Sequence, residues 1–333
     1  MQVLSETKKA FGATVWPINE SFFRYLQTII NRTKGKASKM RVFTTIILVC
    51  LSVFTAKSQY YYYNNNYYDK DLVWEVGASA GLMTGVTDIG SKKGIFPNFK
   101  ASQTNASIYV GAMYQNIAGA RLELTYGRIA GADSLGGAHE WRNLSYRTPI
   151  TQIALIGEFH PLMLKYYDEL PKFSPYIAAG LGWLNFNPQA NLNGRWIDLQ
   201  PLRTEGQGFP EAEAYRQDTR PYKLYTSSLI GGIGVKYDAA QLLTVRAELL
   251  YNQTFSDYLD DASTFYVDPA WFDANLSAAN AALARQLYDR SGEKPTSVII
   301  DPGDTRASSK SKDGFFTFNI KVAINLGRTR TTN

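Results

Sequence analysis

Past residue 58 the chain has no cysteine, no long apolar run and no excess of charge of either sign. Each absence closes off a class of protein. The single cysteine, Cys50, lies in an apolar stretch near the start, so the rest of the chain has neither a disulfide framework nor a cysteine metal site. With no further apolar run of about 20 residues, no second stretch can cross a bilayer as a helix. The formal charge of +6 is concentrated in the first 58 residues, which hold nine Lys/Arg and two Asp/Glu; from Gln59 onward there are 26 basic and 27 acidic residues. No basic footprint is left for phosphate, so a nucleic-acid partner is excluded. The two histidines, His139 and His160, belong to no HExxH or CxxC pattern, which gives no basis for a transition-metal site. Gly231-Gly232-Ile233-Gly234 is not a dinucleotide loop, because strand-like alternation continues where a helix should begin. We assign no catalytic residue, metal or cofactor.

The one apolar run, MRVFTTIILVCLSVFTAKSQ (40–59), has the three regions of an export signal: a basic start, a short apolar centre and small residues before a cut. It is too short to span a bilayer, and Val49 before Cys50 is too bulky for a lipoprotein site. The expectation is a signal peptide over 40–58, cleaved near Ser58. Residues 1–39 then read as a start extension, and the Tyr/Asn-rich stretch 59–71 as disordered.

The remainder of the chain is rich in Tyr, Gly and Asn and alternates with a period of two, the mark of strands with two unlike faces. Eight segments show it: 72–83, 106–115, 119–127, 151–159, 174–186, 228–237, 242–252 and 315–327. Their apolar faces end in aromatics (Trp74, Tyr114, Tyr126, Phe159, Trp183, Tyr237, Tyr251, Phe316), as girdles at a membrane interface do. Short connections alternate with long ones (84–105, 128–150, 187–227, 253–314), the pattern of an outer-membrane barrel with its termini on the periplasmic side. The expected fold is all-β: an eight-stranded antiparallel transmembrane barrel over 72–327, embedded in outer-membrane lipid. One of its long loops contains a helix, read over 269–292 with Leu276, Ala279, Leu283 and Leu287 on its apolar face.

Eight strands leave a lumen only wide enough for side chains. The inward faces supply Glu75, Arg121, Glu123, Glu158, Lys236, Arg246, Glu248 and Lys321, four acids and four bases. A salt-bridged plug is favoured over a gated ion path. Gly77, Gly81 and Gly85 fall on one inward face and make room for larger neighbours. Asp257, Asp260, Asp261 and Asp268 match no Ca²⁺ loop and read as a solvated acidic loop.

The segment GLGWLNFNPQANLNGRWIDLQPLRTEGQG (180–208) resembles the PorG-type outer-membrane barrels of Bacteroidota. RNLSYRTPI (142–150), FSPYIAAGLG (173–182) and YNQTFSDYLDDASTFYVDP (251–269) agree with it. The resemblance covers about 72–326. It implies a part in the type IX secretion system, which exports proteins with a C-terminal sorting domain. It also implies contact with a periplasmic ring made by a lipoprotein and its soluble partner.

The resulting reading is a non-catalytic outer-membrane component that anchors or contacts that ring. The short-turn end is the expected contact surface, above all Leu162, Met163, Leu164, Tyr166 and Tyr167, which are too apolar for an idle turn. A membrane-interface anchor explains the same residues. Two alternatives stay open. One is a surface barrel binding an external ligand through Trp196, Trp271 and Phe272. The other is a lipid-modifying enzyme resting on His139 and Ser145.

Overall fold

The computed structural model describes residues 67–90, 99–135, 139–164, 171–215, 220–240, 242–295, 298–309 and 311–330. The start extension, the signal segment and most of 59–71 lie outside the described residues. Among the described residues there are ten strands: β1 Tyr67–Val86, β2 Gln103–Tyr114, β3 Ala118–Ala132, β4 Ser145–Phe159, β5 Phe173–Phe186, β6 Gln189–Leu192, β7 Arg195–Asp198, β8 Tyr225–Asp238, β9 Leu243–Thr254 and β10 Gly314–Arg330. Eight of them form a ring in the order β3-β2-β1-β10-β9-β8-β5-β4, and the pairing of β3 with β4 closes it. Every pairing is antiparallel. β6 and β7 form a small hairpin attached to β4 through Arg147 and Gln189.

Closure removes the sheet edge, and the two faces of each strand then meet two different solvents. Outward positions carry exposed apolar side chains all around the ring, among them Val76, Ile108, Leu122, Leu155, Leu181, Ile233 and Ile320. An apolar exterior with a polar, filled interior inverts a soluble protein, and hydrocarbon is the solvent that fits it. Two aromatic belts bound this band. Trp74, Tyr114, Phe159, Phe173 and Tyr237 lie toward the short turns; Tyr126, Trp183 and Tyr225 lie exposed toward the long loops. Beside that second belt Tyr251 packs on Phe316, ring centroids 4.7 Å apart. Phe173 and Trp183 are ten residues apart on β5, which at about 3.3 Å per residue and a tilt near 40° gives a band about 25 Å tall.

The strands run further toward the long loops than the alternation predicts. β1 also starts at Tyr67, inside the stretch read as disordered. β4 begins at Ser145, before Pro149, which ordinarily argues against a strand. Pro149 is tolerated because it lies one residue beyond Ile150, the last β4 residue paired with β5 in the main ladder. Where β1 meets β10 the register shifts between Asp69 and Trp74, and Gly327 opposite takes φ 104°, open in practice only to glycine.

Inside, two tyrosines fill the width of the ring by lying over glycines on the neighbouring strand. Tyr109 faces Gly77 and Tyr176 faces Gly234 in register. A Cβ on Gly77 would stand 2.6 Å from the Tyr109 ring and 2.7 Å from the Val322 carbonyl. Gly77→Ala is therefore expected to destabilise the barrel by about 1–3 kcal/mol through overpacking. The urea midpoint of the detergent-folded protein checks this.

At the long-loop end the loops fold into a cap with its own apolar core. Leu199, Leu202, Phe209 and Val267 pack there against Phe272 of helix α1 (Ala270–Asn275) and against helix α2 (Ala278–Leu287). Beneath it, Met83, Ile129, Ile150, Leu184, Phe186 and Phe315 from the strand ends pack with Leu259 into an apolar plug.

The helix expected over 269–292 is two helices. Leu276 is extended, and Ser277 caps α2 by accepting from the Asn280 amide at 3.4 Å. A serine in that position offers a competing start that ends the first turn early. Of the expected apolar face, Leu287 is buried and Leu276 and Leu283 are half-buried against the cap core; Ala279 is exposed, and Ala281 and Ala284 are buried in its place.

Candidate functional site

The eight inward charges meet in one connected network. Arg121 (β3) is its hub, 2 % exposed. Its guanidinium donates to Glu123 at 2.9 Å, to Glu248 at 2.7 Å and to Glu158. Arg246 (β9) donates to Glu158 and Glu75. Lys236 (β8) lies 3.5 Å from Glu75 and donates to Asn116 at 3.3 Å. Lys321 (β10) donates to Glu123 at 2.6 Å and lies 3.2 Å from Glu248. Neutral groups take up remaining lone pairs: Tyr176 donates to Glu248 at 2.8 Å and Ser107 to Glu123 at 2.5 Å. His160 pairs through its ring with Glu158 at 3.4 Å and Ser174 at 2.9 Å.

Six strands contribute to this layer, so each charge ties neighbouring and opposite walls together. Four acids against four bases leave the layer neutral, which is how buried ions are tolerated. Above it, among the described residues, a void of about 10 Å³ lined by Thr125, Gln152, Asn252 and Asn319 has room for about one water. The apolar plug and cap lie over that. An ion would have to break the network to pass.

The short-turn end is tight. Gln115 and Asn116 turn the chain between β2 and β3 with φ of 50° and 56°, the left-handed pair of a type I′ turn that the Ile117 amide closes on the Tyr114 carbonyl at 3.0 Å within a three-residue loop. After β4, Pro161–Leu164 form a single 3-10 turn. Met163 is buried and Leu162 half-buried, while Leu164 is 61 % exposed. Tyr166 and Tyr167 lie outside the described residues.

Three of the four segments that carry the family resemblance meet in the cap, while FSPYIAAGLG (173–182) lies in β5. Glu205, in LQPLRTEGQG, accepts from the Ser263 amide at 2.9 Å, the Thr264 hydroxyl at 2.7 Å and Arg306 at 3.1 Å. Thr204 and Tyr222 donate to Asp261 of YLDD at 2.5 and 2.6 Å. Thr148, in RNLSYRTPI, donates to the Leu259 carbonyl at 2.5 Å. Arg142 of that stretch grips Asp133 with two bonds of 2.9 Å and reaches the carbonyls of Asp88 and Arg306. These scattered sequence signatures are partners in one buried polar lattice.

The lattice corrects the reading of the acidic loop. Asp257, Asp260 and Asp261 are buried, not solvated, because the backbone and neighbouring hydroxyls satisfy Asp260, Asp261 and one oxygen of Asp257. Asp260 accepts from the Ile89 and Ala262 amides at 2.8 and 3.1 Å, and Asp313 from the Leu259 amide at 2.9 Å. Burial pushes Asp260 up to about 8 and Asp257 and Asp261 to about 6. Asp313 is raised too, by burial and by Asp260 beside it. Among the described residues no cluster fits a metal ion.

The outward aromatics also divide differently from expectation. Phe272 is fully buried in the cap core and Trp271 packs on it, because α1 turns its aromatic face inward. Trp196 alone of the three stays exposed, with Arg147 3.8 Å from its ring centroid. His139 lies edge-on to Trp141, and Ser145 is met by Arg290 at 3.4 Å, so the two form no nucleophile–base pair. Sequence reasoning does not single out Glu205, Arg306, Asp133 or Asp313. Their loops show no periodicity; the one available signal is a charged residue inside a stretch that carries the resemblance.

No protein-family model matches the chain, and no curated protein is similar to it in sequence. Solved structures of outer-membrane eight-stranded barrels are similar to it in form. The attachment invasion locus protein Ail of Yersinia pestis is 10 % identical with a TM-score of 0.31, over 77 % of this chain and 97 % of that one. Neisserial surface protein A is 10 % identical with a TM-score of 0.33, over 77 % and 98 %. A major outer-membrane protein of Thermus thermophilus is 12 % identical with a TM-score of 0.35, over 77 % and 100 %.

Proposed function

We propose that the chain is a non-conducting, non-catalytic outer-membrane anchor that serves type IX secretion by holding the periplasmic ring lipoprotein and its soluble partner. The observation that carries the first half is the lumen, crossed by an ion network centred on Arg121 and covered by a packed cap. A sealed barrel moves nothing through itself, so its work lies at its two ends. Two observations support the second half. Three of the four stretches resembling PorG-type barrels are bonded to one another in the cap, so they constrain one another as a family signature should. At the short-turn end, exposed Leu164 beside buried Met163 offers an apolar contact on the 3-10 turn Pro161–Leu164.

The test is the extracellular proteome of a strain lacking this chain. Proteins with C-terminal sorting domains should vanish from the medium and accumulate in the periplasm, and Leu164→Asp should reproduce part of that loss. Unchanged export in the deletion strain ends the secretion reading and leaves the anchor without that partner.

A further inference from the structure

A groove of about 980 Å³ opens beside the cap, between the segment leading into β8 and the segments that follow β9 and precede β10. Tyr225 is both part of its wall and part of the upper aromatic belt, where it stacks on Trp183 at 5.3 Å. The groove therefore begins where the hydrocarbon band ends.

Its lining is chemically mixed in a specific way. Arg220, Lys223 and Lys312 bring three cations to the walls. Phe255 and Tyr225 present exposed rings, 59 % and 43 % accessible, and Tyr222 and Tyr258 form a parallel stack at 4.4 Å deeper in. Asp257 lines the same groove though it is only 3 % exposed. One of its oxygens accepts from Ser263 at 2.6 Å. The other, Oδ1, has no hydrogen-bond donor. A buried acceptor left open is unfavourable, and a hydroxyl entering the groove would fill it.

Each feature asks for a different part of one ligand. The open carboxylate oxygen asks for a hydroxyl. The exposed rings ask for a flat apolar face, such as the C–H face of a sugar ring. The cations ask for an anion of phosphate type. A peptide would supply no reason for three cations beside a carboxylate acceptor, and a bare phosphate would leave the rings and Asp257 idle. We infer that this groove binds a phosphate-bearing saccharide, and its position against the upper belt favours one carried on an outer-leaflet lipid.

The experiment is calorimetric titration of the full chain in zwitterionic detergent with a diphosphorylated glucosamine-disaccharide glycolipid, lipid A. Saturable binding at one site per chain is expected. The double variant K223Q/K312Q, at two exposed positions, should weaken it at least tenfold without moving the unfolding temperature. D257N should weaken it by a smaller factor. A phosphate-free analogue of the same lipid should bind at least tenfold more weakly. If the deacylated phosphorylated disaccharide binds as tightly as the lipid, the saccharide assignment holds and the ligand is a soluble one. Equal binding of the phosphate-free lipid, or equal affinity of K223Q/K312Q, overturns the inference.

Discussion

Replacing Arg121 with alanine is expected to cost the folded barrel about 3–5 kcal/mol. The reason is the number of carboxylates that its guanidinium serves: Glu123, Glu158 and Glu248, all buried. Glu123 and Glu248 keep Lys321, and Glu158 keeps Arg246. The loss still leaves four acids facing three bases in a layer with no room for bulk water. An exposed pair is the internal control. Arg285 meets Asp273 on the cap surface, and Arg285→Ala should change stability by less than about 1 kcal/mol. Folded and unfolded barrels migrate differently on unheated gels, so the urea midpoint of that shift measures both variants. A cost for Arg121→Ala no larger than the control's would mean the apolar plug, not the ion layer, holds the lumen closed.

The two halves of this molecule are unequally legible in its sequence. Alternation finds all eight barrel strands because hydrocarbon and lumen demand opposite chemistry at successive residues; Leu122, Leu124 and Tyr126 against Arg121, Glu123 and Thr125 is an unmixed case. The same logic places the eight lumen charges on one face, although their pairing follows from register, which sequence does not print. The cap offers no such period. Its buried acids look like surface residues, since nothing local announces that the Ile89 and Leu259 amides will meet Asp260 and Asp313. Phe272 reads as exposed because it stands on a short helix in a polar loop, yet the partners that bury it, Phe209 among them at 6.1 Å, come from a loop some sixty residues earlier. Boundaries slip in the same place. β3 and β4 continue above the membrane to Ala132 and from Ser145, where the outward face is mostly half-buried rather than lipid-exposed and alternation loses its contrast.

The buried acids of the cap lead to the second large effect, a cap that loosens as pH rises. Asp260 is raised to about 8 and Asp257 and Asp261 to about 6, all first by burial; Asp313 is raised as well. Asp88 adds to the push on Asp260 and Asp313, while Arg142 opposes it at Asp260 and Arg306 opposes it at Asp261. An acid whose pKa is higher folded than unfolded binds more protons in the folded state, so its contribution is full below the unfolded value near 4. That contribution is lost as pH rises through the folded value. Asp257 and Asp261 lose theirs between about pH 4 and 6, and Asp260 continues to about 8. Between pH 5 and 9 the cap should therefore lose at most about 7 kcal/mol, at about 1.4 kcal/mol for each pH unit between 5 and the folded values of Asp260, Asp257 and Asp261, less what relaxation around the charges recovers. The lumen ion pairs should hold the barrel over the same range, so the two parts separate in one experiment. Limited proteolysis of the detergent-folded protein should cut within 255–313 faster at pH 9 than at pH 5, after correction for the protease's own pH profile, while the eight strands stay protected. Asp260→Asn, which removes the titration at the loss of one of the two amide bonds from Ile89 and Ala262, should lower stability at every pH but flatten most of that dependence. A cap equally resistant at both pH values would mean that the lattice around Glu205 and Arg306 holds the acids in place whether charged or not.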